Sequence, residues 1–199
     1  KGKIADFPYK NKSDNAYFKM ALNVEDVQLH YAPGWPDLMG MKGEITGHGH
    51  DLIIKSQQGK IADFDIVNAT TIIKKLNEIN PILTTQAILE GTTNKASLFI
   101  QSSPLNARFG SVLKLAEIKG LSNIDLNLMV PLADVDDVEV SGSVSFIDSQ
   151  LQTTSPMPLA VTKVNGQLHF DNKGVYAENI NAHLFNDDIT INVSPKGES

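Results

Sequence analysis

Strict alternation of apolar and polar residues along short stretches is the feature that most constrains this chain. The clearest stretches place an apolar residue or a glycine at every second position, and they are 124–130, 138–146, 164–170 and 189–193. Alternation over four or more residues is typical of β-strands with one apolar face and one face in water. One-sided strands of this kind belong to antiparallel sheets, because the strands of parallel sheets are apolar on both faces. The sequence therefore predicts a mainly β fold built on an antiparallel sheet.

Turn-forming residues separate the alternating stretches at a spacing typical of all-β chains. Three polar or glycine-containing segments are predicted to be hairpin connections, namely 57–60, 171–174 and 186–188. Helical periodicity is sparse. It favours a helix over 103–118, with Ser103 as its cap and Gly120 at its end. Residues 70–78 fit either a short helix or a strand, so we expect one or two short helices beside the sheet.

A weak internal repeat places a glycine at the centre of an apolar-x-Gly-x-apolar pattern. The pattern occurs at 41–45, 140–144 and 164–168, and each time the glycine falls on the apolar face. A glycine there removes a side chain, so that the sheet can bend or a neighbouring group can approach the backbone closely. Repeated units of this kind are typical of stacked, solenoid-like architectures.

Composition and charge exclude several function classes. The 199 residues include no Cys, which excludes disulfide scaffolds, thiolate metal sites and Cys nucleophiles. The formal charge is −6, and residues 121–199 carry 3 basic and 11 acidic groups. An acidic second half repels phosphate backbones, so we expect no nucleic-acid partner. No apolar run approaches the roughly 18 residues that a membrane-spanning helix needs.

The two termini suggest a piece of a larger protein. The chain begins Lys1-Gly2-Lys3, without Met or a signal-peptide pattern, and it stops just after the strand-like stretch 189–193. We interpret residues 1–199 as a single domain, with 1–100 and 101–199 as candidate sub-units. We expect any membrane anchor or targeting signal to lie outside these residues.

The sequence contains few groups of side chains that could form a catalytic or metal site. In Gly47-His48-Gly49-His50-Asp51, the two imidazoles would share one face of a strand, which is a usable metal geometry. The flanking glycines favour an exposed turn instead. The acidic segment 134–139 lacks the spaced oxygen ligands and the glycine of a calcium loop. No nucleophile elbow, phosphate loop or dinucleotide fingerprint occurs. We predict no enzyme activity, no metal and no cofactor, and keep a metal-dependent enzyme at His48 and His50 as an alternative.

Trp35 lies in the most distinctive stretch of the chain, Tyr31-Ala32-Pro33-Gly34-Trp35-Pro36. It is the only Trp, and the two prolines beside it restrict the local backbone. We interpret this stretch as a packed turn that plugs one end of a sheet. The alternative is that Trp35 contacts a lipid or protein surface.

Taken in order, several segments resemble the YhdP proteins, which are large envelope proteins of Gram-negative bacteria in the AsmA-like superfamily that includes TamB. Residues 27–38 resemble the family's strand followed by Tyr-x-Pro-Gly-Trp-Pro and Leu, which is the most specific element. The other segments that match are 43–45, 52–54, 102–105, 120–121, 125–132, 140–146 and 164–170. The resemblance covers roughly residues 20–195, and the family's N-terminal membrane helix is not among them.

The resemblance implies a fold, a function and a location. AsmA-like proteins form a long, curved antiparallel sheet, a β-groove lined with apolar side chains, that carries lipid between two membranes. The chain would then be a non-enzymatic periplasmic segment of a bridge-like lipid transport protein anchored in the inner membrane. It would support phospholipid supply to the outer membrane and the barrier function of that membrane. The implied partners are phospholipids, the rest of its own chain and envelope proteins.

The alternating strands supply the apolar lining that such a groove needs. We assign ten residues to the lining: Ile124, Leu126, Leu128, Val140, Val144, Phe146, Leu168, Phe170, Ile189 and Ile191. Each CH₂ group moved from water into such a trough gains about 0.8 kcal/mol, without any directional bond. The same residues would also suit an ordinary core under a helix or a second sheet.

Two other function classes stay open. One is a structural β-domain of the cell envelope that binds protein partners and no lipid. A closed and fully filled core would favour it. The other is a binding module for glycan or protein, for which one Trp and four Tyr are few aromatic residues.

Overall fold

The computed structural model describes residues 19–30, 34–62, 64–114, 116–133, 137–154 and 158–194. Within these residues the chain forms ten β-strands and two α-helices. The first five strands are β1 (Lys19–Leu29), β2 (Leu38–His48), β3 (Asp51–Ile61), β4 (Phe64–Lys74) and β5 (Ile82–Thr92). The helices α1 (Thr93–Gln101) and α2 (Asn106–Leu113) follow. The remaining strands are β6 (Ala116–Pro131), β7 (Glu139–Thr153), β8 (Ala160–Asp171), β9 (Gly174–Leu184) and β10 (Asp187–Val193).

All the described strands belong to one sheet, and each strand pairs antiparallel with the next strand along the chain. The sheet is not closed, so β1 and β10 are its edges. The prediction of a mainly β, antiparallel fold with one or two short helices is confirmed. The helices interrupt the sequence between β5 and β6 but not the sheet, because Thr92 pairs directly with Leu121.

The two faces of the sheet differ as the alternation predicts. Along β6, Ile124, Leu126 and Leu128 are buried, whereas Asn123 and Asp125 are exposed. We call the face that carries Ile124 the inner face and the opposite one the outer face. Both helices pack on the inner face.

Two hydrophobic clusters occupy the inner face of the described residues. The larger cluster joins Trp35 and the helix residues Phe99 and Phe109 to apolar side chains of β4, β5, β6 and β7. The smaller cluster lies under β7, β8 and β9, around Phe146 and Val164. The interior is therefore divided into a part that the helices cover and a part nearer the β10 edge.

Close backbone approach explains the repeated glycines. A Cβ atom on Gly43 would lie 2.0 Å from the carbonyl oxygen of Lys55 on the neighbouring strand. A Cβ atom on Gly142 would lie 2.0 Å from the carbonyl oxygen of Asp125. No side chain fits at such distances, which confirms the prediction that a neighbouring group approaches the backbone at this pattern.

Two of the three predicted hairpin connections are confirmed and one is wrong. Residues 171–174 join β8 to β9, where Asp171 Oδ1 accepts hydrogen bonds from the backbone N–H groups of Lys173 (2.7 Å) and Gly174 (3.2 Å). Residues 186–188 include the β9–β10 connection, although β10 already begins at Asp187. Residues 57–60 lie inside β3, at a register shift against β2. The polar residues and glycine there mark a β-bulge rather than a hairpin.

The helix predicted over 103–118 is correct only in its centre. α2 covers 106–113, and β6 begins at Ala116, because residues from Ala116 onward pair with β7. Gly120 lies at a register shift within β6 and does not end a helix. Ser103 does not cap α2 through its side chain; its hydroxyl donates to the carbonyl oxygen of Ile100 at the end of α1. Residues 70–78, left open between helix and strand, contribute to β4 as far as Lys74.

Candidate functional site

The helices reach the inner face because the chain leaves the sheet after Thr92 and returns to it at Ala116. Phe99 and Phe109 turn towards the sheet and are buried. The ring centroids of Phe99 and Trp35 lie 6.2 Å apart, and those of Phe109 and Phe170 are also 6.2 Å apart. These contacts place α1 near the β1–β2 connection and α2 across the sheet towards β8.

An apolar cleft of about 460 Å³ remains between the helices and the sheet. Residues of β5, β6, β7, β8, β9 and β10 line one side of it, and α1, α2 and the segment after α2 line the other. Because six consecutive strands line a single cleft, the sheet must curve around it. A curved, apolar and partly open space of this size is typical of ligand-binding sites.

Seven of the ten predicted lining residues line this cleft. They are Ile124, Leu126, Val144, Phe146, Leu168, Phe170 and Ile191. Three of them form a continuous row across neighbouring strands, because Val144 pairs with Ile124 on one side and with Leu168 on the other. The row joins the helix-covered part of the inner face to the part nearer β10.

The other three predicted residues lie elsewhere. Leu128 and Val140 are buried in the larger cluster, with 9 % and 3 % of their surfaces exposed. Since neither residue lines the cleft, both fit the other prediction made for these residues, an ordinary core. Ile189 packs against the smaller cluster and does not line the cleft.

Several lining residues lie outside the set predicted from the sequence. Phe109 and Leu113 come from α2. Their place in the cleft depends on how α2 packs against the sheet, which the sequence pattern does not show. Ile118 and Leu151 come from strand positions that pair with each other. Ile118 falls within the predicted helix 103–118, although the period-two alternation of β6 already extends to it.

Polar lining residues gather at one end of the cleft. We call the end of the sheet that holds Thr92, Ala116 and Thr153 the helix end. The polar lining residues lie there, and they are Thr93, Asn94, Ser97, Lys114, Glu117 and Thr154. At the other end of the cleft the lining is apolar, with Phe170 and Val175.

The histidine and acidic candidates do not converge on the cleft. His48 is exposed at the end of β2, and His50 lies in the β2–β3 turn that the flanking glycines favoured. In the described part of the chain no three His, Asp or Glu side chains are close enough to hold a metal ion. Of the acidic segment, Asp137 and Glu139 are exposed, and residues 134–136 lie outside the described residues.

Trp35 is a packed residue, with 5 % of its surface exposed. The interpretation of a packed turn at one end of the sheet is confirmed for residues 34–36, and residues 31–33 lie outside the described residues. Near this turn, Asp37 accepts hydrogen bonds from His30 Nδ1 (2.8 Å) and Gln28 Nε2 (2.8 Å). The bond from His30, followed by the bond from Gln28, holds the pKa of the Asp37 carboxyl below its usual value. These contacts fasten the β1–β2 connection.

The fold and the cleft together define a class of protein, namely an open antiparallel β-groove with an apolar interior. The chain belongs to the YhdP protein family, whose model matches residues 1–199, and the resemblance of its sequence segments is thereby confirmed. No curated protein and no solved structure matches the chain. Membership of this family suggests a lipid-transport-related envelope protein. Among the described residues no helix is long and apolar enough to span a membrane.

Proposed function

We propose that this chain is a non-enzymatic segment of a periplasmic lipid transport protein and that its cleft holds phospholipid acyl chains. The observation that carries the proposal is the apolar cleft itself, lined by the row Ile124, Val144 and Leu168. Family membership supports the same conclusion. The phospholipids would pass between the inner and outer membranes of a Gram-negative envelope, and so maintain the outer-membrane barrier.

The size of the cleft suits one acyl chain. A methylene group is close in size to a water molecule, whose share of liquid volume is about 30 Å³, so a cleft of about 460 Å³ accommodates about fifteen methylene groups. At about 0.8 kcal/mol for each methylene group, their transfer from water gains about 12 kcal/mol before the cost of ordering the lipid. The apolar lining therefore favours the acyl chain over water, which is what a lipid in transit between two membranes requires.

The apolar lining also suits movement of an acyl chain along the inner face. Apolar contacts are non-directional, so neighbouring positions of a chain along the inner face have similar energies. An acyl chain held in this way slides along the lining without breaking specific bonds to it. No acid–base pair or nucleophile is required, and this segment would act by binding alone.

The open edges of the sheet suggest how the segment fits into a longer groove. Among the described strands, β1 and β10 each pair on one side only, and unpaired strand edges readily pair with further strands. We propose that other parts of the same protein extend the sheet at these edges. The inner-membrane anchor would lie in those parts, and envelope proteins are further candidate partners.

Native mass spectrometry of the purified chain, followed by extraction and identification of bound lipid, tests the proposal. Ile191→Asp places a charge in the cleft on the short edge strand, and the matched control Thr190→Asp places the same charge on the exposed neighbouring position. We expect wild type and Thr190→Asp to carry phospholipid and Ile191→Asp to lose it. A second variant, Val144→Asp, repeats the test in the centre of the sheet, with circular dichroism as the check of folding.

A scaffold segment that binds no lipid is the second candidate function. The observation that favours it is the burial of Leu128 and Val140 in the larger hydrophobic cluster, away from the cleft. The same mass spectrometry separates the two functions. A folded wild-type chain that carries no lipid, and takes up none when phospholipid is added, would establish the scaffold function for this segment.

A further inference from the structure

The cleft is polar at one end and apolar over the rest of its length. At the helix end the lining includes Asn94 and Ser97 of α1 together with Lys114, Glu117 and Thr154, and we call these five residues the polar rim. The other lining residues are almost all apolar, and those farthest from the rim along the strands are Phe170 and Val175. A space with this division of polarity is complementary to an amphiphile, with its head at the rim and its chain in the cleft.

Hydrogen bonds hold the backbone of the rim in place. The hydroxyl of Thr154 donates to the carbonyl oxygen of Lys114 (2.6 Å), which ties the end of β7 to the end of α2. The hydroxyl of Thr93 donates to the carbonyl oxygen of Ile118, which ties the start of α1 to β6. Lys114 is thus fixed through its main chain, while its side chain is exposed.

Of the charged side chains in the polar rim, the ammonium group of Lys114 is the one that can bind an anionic ligand. Its charged members are Lys114 and Glu117, and Glu117 Oε1 already pairs with Lys119 Nζ at 3.3 Å. Among the described residues no acidic side chain forms an ion pair with Lys114. An ammonium group without an acidic partner at the mouth of an apolar cleft favours a ligand whose head is anionic.

We propose that the polar rim binds the phosphate of a phospholipid whose acyl chain lies in the cleft, with Lys114 as the contact to the phosphate. This inference rests on the proposed function, because it requires the chain to occupy the cleft. Asn94 and Ser97 supply uncharged hydrogen-bond donors to the remaining head-group oxygens. Lys114 then selects anionic over uncharged lipids, a choice that the apolar lining cannot make.

The dimensions agree with a lipid placed in this direction. From Ala116 to Leu126, β6 rises about 3.3 Å for each residue, which gives about 33 Å. One leaflet contributes half of a hydrocarbon core about 30 Å thick, so the chains of one lipid reach about 15 Å. A chain that starts at the rim therefore ends inside the cleft, before the sheet does.

Isothermal titration calorimetry with two single-chain lipids of equal acyl length tests the assignment. Lysophosphatidylglycerol carries a phosphate, whereas monoacylglycerol carries none. We expect wild type to bind the lysophospholipid about fivefold more tightly, which is the size of an exposed charge contact. Lys114→Gln removes this preference, Lys114→Glu reverses it and Lys114→Arg retains it. Lys173→Gln, an exposed lysine at the opposite end of the sheet, leaves it unchanged.

Each of the other outcomes overturns the assignment. Equal binding of both lipids by wild type, or a preference that survives in Lys114→Gln, would remove the role of Lys114 and leave the proposed function intact. Inorganic phosphate that binds as tightly as the lysophospholipid would show a phosphate site independent of the cleft. Failure of a folded chain to bind either lipid would overturn both the assignment and the proposed function.

Discussion

The ring of Phe109 on α2 meets the ring of Phe170 on β8 edge to face, with 6.2 Å between the ring centroids and 76° between the ring planes. Both residues line the cleft. This contact links the helices to a strand that is two positions away from β6, the strand to which α2 leads. It therefore fastens α2 across the cleft and sets how wide the cleft opens.

Removal of this contact is expected to destabilise the fold. Phe109→Ala deletes a buried ring and leaves a cavity, so the free energy of unfolding should fall by about 3 kcal/mol. The matched control is Phe185→Ala, because Phe185 is 82 % exposed, and it should change the free energy by less than about 0.5 kcal/mol. Urea unfolding followed by circular dichroism measures both values. Equal effects of the two variants would contradict the packing of α2 on the sheet.

A methyl group at Gly142 is expected to be costly. In Gly142→Ala the new Cβ meets the carbonyl oxygen of Asp125, and strands β6 and β7 have to separate there. We expect a loss of about 2–3 kcal/mol in the free energy of unfolding. Gly49→Ala is the control, because it introduces backbone strain without crowding. Gly49 has a φ of +63°, and no atom lies within 4 Å of its Cβ position. It should cost only about 1 kcal/mol. A tolerated Gly142→Ala would show that the two strands are not in close contact.

Trp35 is expected to report on the packing of α1. Because it is buried beside Phe99, its fluorescence emission should be blue-shifted and resistant to acrylamide quenching in the folded chain. Phe99→Ala should make Trp35 more accessible to the quencher. Free quenching of Trp35 in the folded wild type would instead favour the alternative of a surface contact residue.

The pH response of the β1–β2 connection follows from Asp37. Its carboxyl should titrate below the usual value of 3.8, because His30 and Gln28 donate to the ionised form. Since the pKa is lowered on folding, this stabilisation is present above pH 3.8 and is lost as the pH falls through the lower folded value. In His30→Ala the midpoint in an NMR titration should rise towards 3.8. His183→Ala, whose ring pairs with Asp188, should leave the titration of Asp37 unchanged. A midpoint that does not move in His30→Ala would exclude His30 as the cause.

Much of the fold could be predicted because the alternation has a direct physical cause. A strand with one face in water has apolar and polar residues at alternate positions. Ile124, Leu126 and Leu128 show this pattern in the sequence. Turn-forming residues do not by themselves distinguish a hairpin connection from an irregularity within a strand. The polar residues at 57–60 resemble a hairpin connection, but a β-bulge accepts the same residues, and only the pairing of β2 with β3 separates the two.

The helices and the exact lining could not be predicted for a different reason. α1 begins after Thr92 without a side-chain cap hydrogen bond and has no acidic residue in its first turn, so the sequence marks its start only weakly. Whether an apolar inner-face residue lines a cleft or fills a core depends on what covers it. Leu126 and Leu128 are equivalent in sequence and belong to the same buried cluster, yet only Leu126 lines the cleft.

The central claim, that an acyl chain lies on the inner face under the helices, is tested most directly by site-specific photo-crosslinking. Leu168 lines the cleft, whereas its neighbour Gln167 is exposed on the outer face. A photoreactive benzophenone side chain is introduced at one position or the other, and the irradiated protein is analysed by mass spectrometry for lipid adducts. We predict phospholipid adducts at position 168 and none at position 167. Adducts at position 167 alone, or equal labelling of both positions, would contradict the claim.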